Sequence, residues 1–144
     1  MNLNINYDNK ENAIDGYANI SLSSKTYTQE RSEIPKCSCD HIIISDAVNR
    51  INPMEVDNVF TKCLESLAYG GKISIQVLDF KALCVSYISG SLEVGLLTKI
   101  IAETSCIIEI DKILELLIKF NITLESQLKD SLGITIHGVK NEVS

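Results

Sequence analysis

The chain has 144 residues, enough for one domain with a buried core and too few for a second of comparable size. Thirteen Lys and Arg against nineteen Asp and Glu leave a formal net charge of −6, which argues against the basic surface that sequence-independent nucleic-acid binding rests on. No apolar run approaches the roughly 20 residues that cross a bilayer, and Met1 to Asp8 lacks the basic segment and apolar core of a signal peptide. These features predict a soluble, intracellular, cytoplasmic protein, with residues 1–144 forming a single domain.

In chain order, Leu3–Asn6 reads as a short strand and Asp8–Asn12 as a solvated loop. Asp15-Gly16 marks a turn, and Tyr17–Leu22 is a second strand. Ser23–Ser38 is polar and without period, hence mostly loop. His41–Ile44 is a continuous apolar run of the kind found in strands buried on both faces of a parallel sheet. A helix follows: Asn52 is placed to cap, Pro53 suits its first turn and Glu55 stands three after the cap. Val56, Val59, Phe60, Cys63, Leu64 and Leu67 then share one face, and Gly70-Gly71 supplies a stop.

Lys72–Leu78 reads as a strand. Phe80–Ile88 and Leu92–Glu103 read as helices broken at Gly90, and Asp111–Phe120 as an amphipathic helix. Strands at Thr123–Gln127 and Ile134–Val139 complete the pattern. Strands alternating with helices predict an α/β fold with a single open, mostly parallel, doubly wound sheet, leaving room for an antiparallel last strand. Five cysteines in a chain without export signals do not suggest a disulfide framework. Cys63, Cys84 and Cys106 read as small buried residues. Cys37-Ser38-Cys39-Asp40-His41 lacks a second ligand pair, so no metal site is expected.

The order of short motifs from Asp40 to Asp79 adds a resemblance. Asp40-His41-Ile42-Ile43-Ile44-Ser45, then Ala47-Val48-Asn49-Arg50-Ile51, then Glu65-Ser66-Leu67-Ala68-Tyr69-Gly70-Gly71, then Val77-Leu78-Asp79 are similar to the central motifs of class I S-adenosylmethionine-dependent methyltransferases. Leu3-Asn4-Ile5-Asn6-Tyr7-Asp8, Asp15–Leu22 and Ile134–Lys140 resemble that family's first, second and last strands. The likeness implies a Rossmann-like sheet with a cofactor crevice at the ends of the first two strands. The family's glycines in the first loop let the backbone approach the cofactor, but here Asn6 and Asp8 stand in their place. The acidic residue that receives the ribose hydroxyls is Ser21. Asn49-Arg50 replaces a Glu-His pair, and Ala68-Tyr69 a Lys-Pro.

These departures imply a degenerate methyltransferase-like domain that has lost cofactor binding and acts as a binding or structural protein, so no cofactor is expected. The alternative is a divergent active enzyme that uses S-adenosylmethionine on a small molecule or glycan-type substrate. An unrelated regulatory α/β module is a third reading. Asp46 and Asp79 lie just past strand ends, where a carboxylate pair suits a general base or a metal ion, or serves only to cap helices. With Asn49 they are the catalytic candidates. Arg50 is placed to meet a carboxylate or phosphate, or to sit solvated at the surface. Ser45 has no nucleophile elbow around it, while His41 and His137 read as packing residues. Phe80, Leu83, Cys84 and Tyr87 read as core or lid. The apolar stretch Leu92–Ile101 exceeds what one helix face buries, which predicts a homo-oligomer or another protein partner. Abundant Asn, Ile, Lys and Ser suit an AT-rich genome, such as a virus or a reduced bacterium.

Overall fold

A computed structural model of the chain describes residues 1–23, 27–45 and 47–142. Within them, six strands form one open sheet: β1 (Asn2–Asn6), β2 (Ala18–Ser21), β3 (Cys39–Ile44), β4 (Leu67–Leu78), β5 (Ile122–Lys129) and β6 (Gly133–Lys140). Their order is β2-β1-β3-β4-β6-β5. The pairs joining β1 to β4 are parallel, and β6 lies antiparallel between β4 and β5. The helices are α1 (Asn9–Asn12), α2 (Tyr27–Ser32), α3 (Val56–Ser66), α4 (Phe80–Ile88), α5 (Val94–Glu103) and α6 (Ile110–Lys119). Among the described residues no helix is long and apolar enough to cross a membrane.

Strand register builds the core. Leu3, Ile42 and Ile73 form one transverse row, and Ile5, Ile44, Ile75 and Ile136 the next, each at most 1% exposed. Phe60, Cys63 and Leu64 of α3 and Ile113 and Leu117 of α6 pack into the same cluster. The opposite face carries the row Asn4, Ile43, Ser74 and His137, and His137 Nδ1 lies 2.9 Å from Ser74 Oγ. Ile43, Ser74 and His137 are only half-buried. The His41–Ile44 run is therefore fully buried on one face, not on both: Ile42 and Ile44 point into the core.

Three local expectations change. Asp8–Asn12 is not a loop: Asp8 caps the short α1, its carboxylate accepting from the Lys10 N–H at 3.0 Å. Ser23–Ser38 contains α2, whose ordering comes from distant contacts rather than from a periodic apolar face. Arg31 of α2 donates to the Asn58 carbonyl at 3.2 Å, with its guanidinium 5.9 Å from the Tyr27 ring. Asn52 closes a turn ahead of α3 instead of capping it, since Met54 N–H donates to its side chain and Glu55 N–H to its carbonyl. The helical ladder begins with Val59 N–H on the Glu55 carbonyl.

The end of α3 also moves. The helix stops at Ser66, and Leu67 already pairs with Cys39 as the first residue of β4. Ala68–Gly71 then forms a local irregularity before Lys72 resumes the ladder opposite His41. Gly70 has φ +77 within it. At the helix end the Glu65 and Ser66 carbonyls accept from the Cys37 and Ser38 N–H groups at 3.0 Å, and Lys140, which is 7% exposed, donates to the Leu64 and Leu67 oxygens at 3.1 and 2.9 Å. The thiols differ too: Cys39 and Cys63 are buried, Cys84 and Cys106 are half-buried, and Cys37 is exposed.

Candidate functional site

Strand order reverses at β1, which lies between β2 and β3. Open α/β sheets bind ligands outside the C-terminal ends of their strands at such a point. Here the place is densely bonded by the chain itself. Asn6, the last residue of β1, is fully buried, and its amide donates to Asn9 Oδ1 at 2.8 Å. Its own Oδ1 is buried with no hydrogen-bond partner among the described residues. Ser21, at the end of β2, donates to the Tyr7 carbonyl at 2.7 Å and lies 2.8 Å from Ser23 Oγ. Leu22 N–H donates to the Asn6 carbonyl and Ser23 N–H to that of Tyr7, at 2.8 and 3.0 Å. The β1–β2 pairing thus runs on past both strands, over the ground between their ends.

Asparagines hold the loop behind it. Asn4, fully buried, donates to the Asn12 carbonyl at 2.9 Å and to Asn19 Oδ1 at 2.8 Å. Asn19 in turn bonds Ile14 N–H and the carbonyls of Ile14 and Tyr17. Buried amides in such a network fix the loop conformation, because each lost partner would leave a desolvated polar group.

Across the same edge, the Arg50 guanidinium stacks 4.4 Å from the centre of the Tyr7 ring and pairs with Glu103 at 3.1 Å. Arg50 is therefore a partly buried strut linking the end of β1 to the end of α5, not a solvated surface residue. Neither partner was visible in the sequence: Arg50 and Glu103 stand 53 positions apart, and nothing local marks Tyr7. Asn49 Oδ1 accepts from Leu78 N–H at 2.8 Å, and its Nδ2 donates to the Cys106 carbonyl at 3.0 Å. Asp79 caps α4, accepting from Ala82 N–H at 3.1 Å. Two of the three catalytic candidates thus meet at the end of β4, each bonded to backbone. Asp46 lies outside the described residues.

Two clefts of about 360 Å³ each open beside them. One lies over the paired ends of β4 and β6, against the end of α5, with Arg50, Gln76, Glu103, Asp130 and Thr135 on its walls. The other is mostly apolar, bounded by Phe80, Leu83, Ile101, Cys106 and Ile107. Phe80 and Tyr87 are 40% and 46% exposed, so of the expected core or lid group only Leu83 is core. Three thiols are shifted away from activation: burial pushes Cys63 up to about 12 and also raises Cys39 and Cys106. His41 lies 2.8 Å from Tyr17 Oη, in the N-terminal half of β3. Burial lowers its pKa, and His137 and Lys72 push the same way. Among the described residues no three metal-type side chains cluster.

No family model and no curated protein matches the chain. Solved structures do. A methyltransferase dependent on S-adenosylmethionine from Archaeoglobus fulgidus superposes with a TM-score of 0.61 at 10% identity, over 94% of this chain and 74% of its own. The 1,6-didemethyltoxoflavin-N1-methyltransferase of Burkholderia thailandensis, solved with bound 1,6-didemethyltoxoflavin and S-adenosylhomocysteine, gives 0.59 at 9%, over 97% and 71%. An O-methyltransferase family protein from the same organism gives 0.56 at 10%, over 79% of this chain but only 34% of its own. The chain has the class I methyltransferase fold across most of its length. Identities this low establish the fold and leave the chemistry to the site.

Proposed function

We propose that this chain is a methyltransferase-like domain that does not use S-adenosylmethionine and acts as a binding or structural protein. One observation carries the reading: the ends of β1 and β2 are bonded to each other and to α1 through Asn6, Ser21, Leu22 and Ser23. Entry of the ligand there would break these bonds and leave buried groups unpaired. Ser21 offers no charge to the ribose. A missing charge-assisted hydrogen bond costs roughly 1.5–3 kcal/mol, about ten- to hundredfold in affinity. Asp8 adds a carboxylate on the side where the ligand's own carboxylate would lie.

A divergent enzyme acting on a small molecule or glycan-type substrate is the second reading, favoured by the cleft over the ends of β4 and β6, whose volume suits a small molecule. Calorimetry with S-adenosylmethionine and S-adenosylhomocysteine separates the two. The expected result is no saturable heat with either ligand at about 100 µM protein. A dissociation constant in the low micromolar range for either ligand restores the enzyme.

A further inference from the structure

Both histidines of the chain lie on the sheet face turned away from α3 and α6. His41 stands beside Lys72 in one row of that face and His137 beside Ser74 in the next, with β4 between the two imidazoles. Alternation along the strands brings all three bases to this side. Among the described residues, the strand positions that share the face hold no Asp or Glu. In a chain with nineteen acidic residues, that is a local reversal of sign. The one carboxylate of β5, Glu125, falls at the register shift and has no partner residue on β6. Asp40, just ahead of His41, accepts from the Met1 amino group at 2.9 Å.

Each ring is fixed through one nitrogen. His41 Nδ1 lies 2.8 Å from Tyr17 Oη, and His137 Nδ1 lies 2.9 Å from Ser74 Oγ. A hydroxyl that donates to Nδ1 leaves the neutral ring with its proton on Nε2, and a protonated ring carries one there as well. Both Nε2–H groups are therefore donors, and among the described residues neither has an acceptor. Lys72 is exposed, with its ammonium in no ion pair among the described residues. Burial, His137 and Lys72 all oppose a charge on His41. An anion seated over β4 would offset that opposition and accept from all three groups. Two ring N–H donors and an ammonium from three neighbouring strands suit several acceptor oxygens around one centre of charge. We propose that His41, Lys72 and His137 form a binding site for a small oxyanion of the phosphate or sulfate class. The site does not depend on whether the ends of β1 and β2 admit S-adenosylmethionine.

Proton NMR of the full chain tests this by following the ring protons of its two histidines. Sulfate, a dianion throughout, is added at about pH 6 and about pH 8, with ionic strength held constant by chloride. The expected result is one saturable shift shared by both rings, with a dissociation constant below about 1 mM at about pH 6. Binding should be at least about fivefold weaker at about pH 8, because the anion favours the charged imidazoles. Lys72→Ala and His137→Gln should each weaken it at least about threefold, while Lys99→Ala on α5 should not. Lys72 is exposed, so Lys72→Ala serves even where His137→Gln disturbs the fold. Inorganic phosphate and methyl phosphate, compared at about pH 7, tell a free ion from a monoester by which binds more tightly, and either order supports the site. Histidines that do not shift together overturn the proposal. So does binding indifferent to pH or to Lys72→Ala, or weakened as much by Lys99→Ala.

Discussion

The amide of Asn49 is used twice, accepting from Leu78 N–H and donating to the Cys106 carbonyl, while its own carbonyl receives the N–H groups of Ser105 and Cys106. It fastens the end of β4 to the connection between α5 and α6, so its role is positional. Asn49→Ala removes both side-chain bonds and should cost about 1–3 kcal/mol. Asn49→Asp should cost more, because a carboxylate oxygen would then face the Cys106 carbonyl. That carboxyl would be held above its unfolded pKa of about 3.9, so the penalty is full at neutral pH and shrinks as pH falls through the raised value. Urea unfolding at about pH 7 and pH 4 measures both effects. An Asn49→Asp protein as stable as the wild type at neutral pH removes the structural assignment. The sequence marked Asn49 because it follows a strand end, but it could not show the role, since Cys106 lies 57 positions away. Asp79 was more legible, because a helix cap acts within three residues.

Elements were legible where their signal was local. The alternation of Ile134, Ile136 and Gly138 against Thr135, His137 and Val139 appears unchanged in the burial of β6. The end of α3 was not local. A glycine pair after an apolar helical run is a reasonable stop, but the helix ends four residues earlier, where groups distant in sequence take its carbonyls: the Cys37 and Ser38 N–H groups bond those of Glu65 and Ser66, and the Lys140 ammonium, 76 positions away, that of Leu64. The glycines are then used for something else, and for different reasons. At Gly70 a Cβ would meet nothing within 4 Å, so only φ +77 opposes a side chain. At Gly71 it would lie 2.8 Å from the Ala68 oxygen and 3.1 Å from that of Cys39. Gly70→Ala should therefore cost about 1 kcal/mol, with Gly70→Asn milder, since Asn tolerates the left-handed region. Gly71→Ala forces backbone to move and should cost about 1–3 kcal/mol. Denaturant midpoints give the order, and a Gly71→Ala protein more stable than Gly70→Ala contradicts this division of roles.

At the scale of the whole molecule, stability is unevenly distributed. The rows through Leu3, Ile42 and Ile73 and through Ile5, Ile44 and Ile75 are closed to solvent and covered by α3 and α6. By contrast α5 touches the remainder through half-exposed side chains, the Arg50–Glu103 pair and the bonds of Asn49 just beyond its end. Opening α5 exposes little apolar surface that is not already exposed, so its local unfolding should require far less free energy than that of the sheet. Hydrogen exchange on dilute monomer should then find α5 amides opening at least about 2 kcal/mol more easily than those of β3 and β4. Arg50→Ala should widen the difference, because it frees the C-terminal end of α5 while leaving the Ile42–Ile73 row intact. Equal protection of α5 and β3 in dilute monomer would mean that α5 is held by the core after all, and that its apolar face is not an appended surface.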